Sequence, residues 1–170
     1  MTEKAYFATG CFWGAERKFW QTPGVLATSV GYMGGDVTNP TYEWVCDGST
    51  GHAETVELTF DPKQVSYTQL LGLFWVMHDP TSLNRQGNDR GSQYASAIFT
   101  TTPQQHEQAL ATQAIYQAAL TKAGHGKIVT LIEQAANHPY WPAEGYHQRY
   151  LAKNPNGYDC HSSTGVPFPH

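Results

Sequence analysis

The sequence predicts one α/β (α+β) domain, a two-layer ferredoxin-like split βαβ sandwich with a C-terminal extension and an irregular tail. The strand and helix patterns follow the order β-α-β-β-α-β before further elements are added, which is the order of that motif. A length of 170 residues suits one domain, and 40% apolar with 13% aromatic residues can build a substantial core. The sequence shows no internal repeat that would indicate a solenoid instead.

The first part of the chain contains two predicted strands and two predicted helices. Residues 4–9 alternate as a strand does, and residues 14–20 have a helical pattern that ends before a Thr-Pro-Gly turn. Residues 25–32 are mostly apolar and bounded by glycines, which indicates a second strand. The loop over 33–40 is long enough to be functional, and residues 41–46 are predicted to form a short helix.

The middle of the chain supplies the other half of the motif. Residues 53–60 alternate apolar and polar side chains and form the clearest strand. A capping box that begins at Ser66 starts a helix whose apolar residues recur on one face. A strand over 94–99 follows a polar loop, and Thr102-Pro103 starts a long helix that ends near residue 122.

Residues 1–170 are expected to form a single catalytic domain. A last strand is predicted over 128–133, followed by a partly helical stretch over 142–153. Residues 1–150 or so would then be the core with its extension. Residues 151–170 are rich in turn-forming residues and are predicted to be a mobile tail.

Charge and cysteine usage exclude several classes of protein. A net charge of −4 with scattered basic residues argues against nucleic acid as a partner, and the longest apolar run is too short to span a membrane. The three cysteines, Cys11, Cys46 and Cys160, have neither the spacing of a disulfide framework nor that of a zinc site. We therefore expect reactive or incidental thiols in a cytoplasmic protein.

The stretch from Gly10 to Gly14 places Cys11 at the start of a predicted helix. Unpaired backbone N–H groups and the helix dipole favour a thiolate there, so this cysteine is a candidate nucleophile. Phe12 and Trp13 are poor choices for a solvent-facing turn and are expected to line an apolar pocket beside the sulfur. The alternative is an inert cysteine buried among core aromatic residues.

The strand over 53–60 carries a second candidate. Glu54 shares the face of Val56, Leu58 and Phe60, so a regular strand points its carboxyl toward the core or a pocket. Burial would raise the pKa of this carboxyl and make it a proton donor near neutral pH. Alternatively, the alternation breaks at the start of the strand and Glu54 lies in solvent. In the predicted fold, the end of the first strand comes close to the start of this one.

A reactive thiol, a neutral carboxyl, an aromatic wall and a distant second cysteine are the components of a thiol redox cycle. Two other functions remain open on these residues. A cysteine acyl transferase or hydrolase would need a histidine base beside the thiol, and no histidine is tied to Cys11 by local sequence. A peptide-binding module without catalytic activity would use the aromatic pocket alone.

Four sequence motifs follow one another along the chain. They are Thr9-Gly10-Cys11-Phe12-Trp13-Gly14, Gly51-His52-Ala53-Glu54, Asn88-Asp89-Arg90-Gly91-Ser92-Gln93-Tyr94 and Pro155-Asn156-Gly157-Tyr158. Together, and in this order, they resemble the peptide methionine sulfoxide reductase A family over essentially the whole chain.

The resemblance implies a role for each matching residue in the reduction of methionine S-sulfoxide, free or in proteins. Cys11 would attack the sulfoxide sulfur, and Glu54 would protonate the departing oxygen. Tyr42 and Tyr94 would hydrogen-bond to that oxygen, and Asp89 would orient the polar side of the site. The family uses no metal or organic cofactor.

The resemblance also implies how the substrate is held and how the enzyme is recycled. Phe12 and Trp13 would hold the S-methyl group of the substrate. The sulfenic acid formed on the nucleophile would condense with Cys160 as resolving cysteine, and thioredoxin would reduce the disulfide. We expect a monomer. Ala95 stands where the family commonly has arginine and Gly145 where it commonly has an acidic residue, so local charge at the site is altered.

Overall fold

The computed structural model describes residues 1–159 and 162–169, and it shows a mixed α/β fold built on one central sheet. The six strands of that sheet are β1 (Glu3–Thr9), β2 (Val25–Met33), β3 (Ala53–Phe60), β6 (Ser96–Thr100), β7 (Leu131–Gln134) and β8 (Trp141–Pro142). A separate hairpin is formed by β4 (Arg85–Gln86) and β5 (Asp89–Arg90).

The order of strands across the sheet is β7-β6-β1-β3-β2-β8. The pairs β6-β1, β1-β3, β3-β2 and β2-β8 are antiparallel, and β6-β7 is parallel, so the sheet is mixed. The register pairs Phe7 with Val56 and Tyr32 with Glu54. Because β1 and β3 are antiparallel neighbours, the last residues of β1 lie beside the first residues of β3.

Five α-helices occur in the part of the chain that the structure describes: α1 (Phe12–Trp20), α2 (Tyr42–Cys46), α3 (Tyr67–Val76), α4 (Pro103–Lys122) and α5 (Tyr150–Lys153). The ring of Phe7 on β1 lies 5.3 Å from that of Phe19 on α1 and 5.3 Å from that of Phe74 on α3. Both helices therefore cover the same face of the sheet. Helix α3 in turn packs against α4.

Most predicted elements occur where the sequence placed them, with shifts at their ends. Helix α1 begins at Phe12, two residues earlier than predicted, so Cys11 caps the helix. The strand predicted over 94–99 is wrong at its start, because Ser92–Tyr94 forms a 3-10 turn and β6 begins at Ser96. The strand predicted over 128–133 is also displaced, since β7 covers Leu131–Gln134.

Residues 164–168 of the predicted tail pack against the helices α3 and α4. The hydroxyl of Tyr116 donates a hydrogen bond to the carbonyl of Val166 at 2.7 Å, and the ring of Phe168 stacks on Tyr116 at 5.9 Å. Cys160 lies outside the described residues. None of the helices that the structure describes is long and apolar enough to cross a membrane.

Candidate active site

Cys11 lies between the end of β1 and the start of α1 and is 9% exposed. Gly10 makes this turn with a φ of +101°, in the left-handed region that favours glycine. A Cβ atom at Gly10 would also lie 2.7 Å from Cγ of Gln86, so there is no room for a side chain. The glycine thus allows the strand to turn sharply into the helix that presents the thiol.

The surroundings of Cys11 have opposing effects on the pKa of its thiol. Burial raises the pKa of the Cys11 thiol well above its ordinary value, and the nearby charge of Glu54 raises it further. The backbone N–H groups of Trp13 and Gly14 at the helix start lower it by a smaller amount. The expectation of a thiolate is therefore wrong, because desolvation by burial outweighs the effect of the helix start on the pKa of Cys11.

Glu54 points inward and is 2% exposed, which decides between the two alternatives left open by the strand pattern. Its Oε1 accepts a hydrogen bond from the backbone N–H of Phe12 at 3.1 Å. Burial raises the pKa of Glu54 to about 8, the charge of Asp89 adds to the rise, and the Phe12 N–H opposes it. The carboxyl is therefore mainly protonated at neutral pH and able to donate a proton.

Tyr42 and Tyr94 lie near this pair on two separate short helical elements, the helix α2 and the 3-10 turn Ser92–Tyr94. Tyr42 begins α2, and its hydroxyl interacts with the sulfur of Cys46. Burial raises the pKa of both tyrosines, and the charge of Glu54 raises both further. Both phenols therefore remain neutral donors close to the buried carboxyl.

Asp89 supplies a charge at the same site. It lies in β5, and its Oδ1 accepts a hydrogen bond from the Tyr158 hydroxyl at 2.9 Å. Its Oδ2 is buried and has no hydrogen-bond partner among the described residues. The negative charge of Asp89 raises the pKa of Cys11, Glu54 and Tyr94, so it lies within electrostatic reach of all three.

The two aromatic residues after the nucleophile occupy different environments. Phe12 is 1% exposed, and its ring contacts Tyr32 at 5.9 Å and His147 at 5.2 Å. Trp13 is half-buried, and its ring stacks on that of Tyr150 at 3.9 Å. Phe12 therefore forms the buried base of the aromatic cluster, whereas Trp13 forms a wall that is partly open to solvent.

The sequence predicted residues 142–153 only as a partly helical stretch and gave their side chains no role in the site. Residues 141–153, which follow β7 and which we call the closing segment, nevertheless contact several residues of the site. Its Glu144 accepts hydrogen bonds from the Tyr32 hydroxyl and from the backbone N–H of Tyr42, both at 2.8 Å. Its His147 is fully buried and accepts a hydrogen bond at Nδ1 from Nε1 of Trp13 at 3.0 Å. The only sequence signal was the density of aromatic and polar residues in a stretch without clear periodicity.

Two contacts anchor the closing segment to the core. The side-chain amide of Gln148 pairs with the backbone of Val30, accepting from its N–H and donating to its carbonyl, each at 2.8 Å. The buried carboxylate of Glu16 accepts from the backbone N–H of Arg149, at 2.8 Å, where Arg149 adopts a left-handed φ of +51°. The closing segment is thereby held against β2 and α1.

The two departures from the usual family pattern lie at the edge of the site. Gly145 begins the 3-10 turn that ends at His147, and a Cβ atom there would meet nothing within 4 Å. Ala95 ends the turn that carries Tyr94. The open space at Gly145 means that a side chain would fit at this position. No three His, Cys, Asp or Glu side chains in residues 1–159 and 162–169 are grouped so as to hold a metal ion.

A buried thiol at a helix start, with a neutral carboxyl and two phenols within electrostatic reach, is an arrangement typical of a cysteine-based enzyme. Comparison with known proteins identifies the family. The family model for peptide methionine sulfoxide reductase matches residues 3–166, and the chain belongs to that family.

Individual relatives agree with this assignment. The peptide methionine sulfoxide reductase MsrA of Streptomyces griseus is 58% identical over 167 residues, which are 98% of this chain and 75% of the relative. Methionine sulfoxide reductase A of Corynebacterium diphtheriae superposes with a TM-score of 0.90 at 47% identity, covering 99% of this chain and 84% of the other. Reduced Mxr1 from Saccharomyces cerevisiae gives a TM-score of 0.82 at 34% identity, covering 95% and 92%.

Proposed function

We propose that this protein reduces methionine S-sulfoxide, free or in proteins, with Cys11 as the nucleophile and Glu54 as the acid. The observation that carries the proposal is the placement of a buried, largely protonated Glu54 beside the Cys11 turn, joined to it through the Phe12 N–H. A sulfoxide oxygen is a poor leaving group unless it is protonated as the S–O bond breaks. A neutral carboxyl next to a thiol supplies that proton.

The reaction balances within the site. The Cys11 sulfur attacks the sulfoxide sulfur, and an S–S bond forms while Glu54 protonates the oxygen. The hydroxyl then passes to the Cys11 sulfur as the substrate S–O bond and the S–S bond both break. The substrate sulfur is reduced by two electrons and the Cys11 sulfur is oxidised by two, giving a thioether and a sulfenic acid. Glu54 gives its proton to the oxygen and regains the proton of the thiol, so it ends the step neutral.

The other residues of the site bind the two ends of the sulfoxide. Phe12 and Trp13 hold the S-methyl group, because they provide an apolar wall directly after the nucleophile. Tyr42 and Tyr94 donate hydrogen bonds to the oxygen. To do so, the Tyr42 hydroxyl gives up its hydrogen bond with the sulfur of Cys46. Asp89 orients the polar side of the pocket through its free Oδ2.

Recycling requires a second thiol and an external reductant. We assign Cys160 as the resolving cysteine: its thiol attacks the sulfenic acid, a disulfide with Cys11 forms, and water leaves. A thioredoxin then reduces the disulfide by thiol exchange. Yeast Mxr1 has been solved in complex with Trx2, which supports a partner of this type for the family. Cys46 is exposed and is not part of a disulfide in the described residues, and we assign it no role in this cycle.

The remaining expectations accompany this function. No metal or prosthetic group is needed, because thiols and the bound dithiol partner supply the electrons. A monomer in the cytoplasm, where thioredoxins keep thiols reduced, fits such a cycle. The strand order β6-β1-β3-β2 supports a ferredoxin-like core in a single domain of residues 1–170, with its core and extension over about 1–150 and the tail over 151–170.

The decisive experiment measures turnover of each methionine sulfoxide epimer with dithiothreitol as reductant. We expect the S epimer to be reduced and the Cys11→Ser variant to be inactive. No turnover of the S epimer, or full turnover by Cys11→Ser, would refute the proposal. A cysteine hydrolase would instead act on an ester and accumulate an acyl-enzyme.

A further inference from the structure

The indole of Trp13 is held at two points by the closing segment. The ring of Tyr150 stacks on it with an interplanar angle of 12°, and Nδ1 of His147 accepts the hydrogen bond from its Nε1 at 3.0 Å. Stacking fixes the plane of an indole but leaves it free to slide and turn within that plane. The hydrogen bond to His147 removes this remaining freedom.

We propose that neutral His147 is a positioning residue that sets the orientation of Trp13 and thereby the shape of the pocket for the S-methyl group. This inference rests on the proposed function for its effect on substrate, but the hydrogen bond itself is independent of it. His147 does not touch the reacting atoms in this assignment. It acts through Trp13.

The surroundings of His147 are built to keep its ring in one position. The ring is fully buried, and it is packed by the rings of Tyr42 at 4.3 Å, Phe12 at 5.2 Å and Tyr146 at 4.1 Å. Since Nδ1 accepts a hydrogen bond, the neutral ring carries its proton on Nε2. Nε2 is buried and has no hydrogen-bond partner in residues 1–159 and 162–169, so packing and the Trp13 contact alone hold the ring.

The acceptor at Nδ1 exists only in the neutral imidazole. Burial lowers the pKa of His147, while the charges of Glu144 and Glu43 act in the opposite direction by smaller amounts. The titratable or charged groups that face His147 are Glu144 and Tyr146 on its own turn and Glu43 and Tyr42 on α2. The bond to Trp13 is therefore present at neutral pH and is lost as pH falls through the lowered pKa of His147.

Two substitutions separate the hydrogen bond from the packing. His147→Phe keeps a ring of similar size but removes the acceptor, whereas His147→Asn keeps an acceptor and loses the ring. We expect His147→Phe to raise KM for the S epimer about fivefold with little change in kcat, as the loss of one ordinary hydrogen bond predicts. His147→Asn should stay closer to the wild type. His106→Phe, a histidine replacement on α4, is the matched control and should leave KM unchanged.

A second readout follows the Trp13 indole N–H resonance by NMR, assigned by its absence in Trp13→Phe. We expect this resonance to shift in His147→Phe, to stay in His106→Phe, and to titrate in the wild type together with the imidazole signals of His147. The Trp75 indole, bonded to Thr112, serves as an internal reference that does not move.

Three results would overturn the inference. They are an unshifted Trp13 resonance in folded His147→Phe, a shifted resonance with unchanged KM, and a wild-type Trp13 resonance that does not follow the titration of His147. The last result decides the matter even if His147→Phe does not fold. If the protein failed to reduce either epimer, the proposed function would fall, while the NMR data would still report on the hydrogen bond.

Discussion

The backbone N–H of Phe12 donates a hydrogen bond to Oε1 of Glu54 across 42 residues of chain. This contact places the carboxyl against the first turn of the helix that carries Cys11. Because Oε1 is occupied as an acceptor, the proton of the neutral acid belongs on Oε2. The bond therefore fixes the position of the carboxyl and leaves its Oε2 as the oxygen that carries the proton.

Replacing the acid should separate chemistry from binding. Glu54→Gln keeps an acceptor for the Phe12 N–H but has no acidic proton, so we expect the reduction step to slow about a hundredfold or more while KM changes little. Single-turnover release of methionine measures this step directly. Glu57→Gln, on the same strand but the opposite face, is the control and should reduce substrate at the wild-type rate. Equal single-turnover rates for Glu54→Gln and wild type would remove the acid role.

The rate of the reduction step should depend on pH through Glu54. The protonated form is the active one, so the rate should fall as pH rises through about 8, where burial has raised the pKa of this carboxyl. Single-turnover rates between pH 6 and pH 9 test this expectation. A rate that is constant over that range, or one that rises with pH, would contradict it.

Stability should depend on pH through the same group. Glu54 binds its proton more tightly in the folded protein than in the unfolded chain, so its contribution is present below about pH 4.5 and is lost as pH rises toward about 8. Within that window the free energy of unfolding should fall by up to about 1.4 kcal/mol per pH unit from this group. Denaturant unfolding at several pH values, for the wild type and for Glu54→Gln, isolates the contribution of Glu54 to the free energy of unfolding. Identical pH slopes for the two proteins would show that Glu54 ionises normally.

Recycling should depend on one of the two other cysteines. We expect Cys160→Ser to release about one methionine per enzyme in a single turnover and then to stop with thioredoxin as reductant, because the sulfenic acid is not converted to a disulfide. Cys46→Ser is the matched control and should cycle normally. Continued thioredoxin-dependent turnover by Cys160→Ser would transfer the resolving role to Cys46.

The contacts of Gln148 that anchor the closing segment should contribute measurably to the free energy of unfolding. Gln148→Ala leaves the N–H and carbonyl of Val30 without their side-chain partner, and we expect a loss of about 1–3 kcal/mol in the free energy of unfolding. Gln104→Ala, at an exposed position on α4, should have almost no effect. Urea unfolding compares the two. Equal midpoints would show that the Gln148 contacts are not needed to hold the segment.

Local patterns predicted the central strands β1, β2 and β3 and the closeness of Cys11 to Glu54. The alternation over Ala53–Phe60 predicted the bounds of β3, because a side-chain period of two is a property of the strand itself. The direction of Glu54 stayed one of two alternatives until the structure showed the side chain to be buried. The order of elements then brought Cys11 and Glu54 together. The direction of the Cys11 pKa could not be predicted in this way, since it depends on how deeply the whole fold buries the sulfur.

The closing segment shows which contacts of the site local patterns could not predict. It contains a two-residue strand, a 3-10 turn and a four-residue helix, none of which has a detectable period. Its position is set by side-chain contacts to distant residues, such as Gln148 with Val30 and Glu144 with Tyr32. Sequence spacing carries no information about such pairs, so His147 remained one histidine among eight.

The hydrogen bond between Trp13 and His147 joins residues 134 positions apart, which has a consequence for biosynthesis. Cys11 leaves the ribosome early, whereas the segment that completes its pocket is translated after almost all of the sheet. During that interval a nascent chain carries the thiol without its aromatic enclosure. The surroundings of the Trp13 indole are therefore completed only at the end of translation, and a fragment that lacks residues 141–153 would carry the thiol without the contacts of His147 and Tyr150 to this indole.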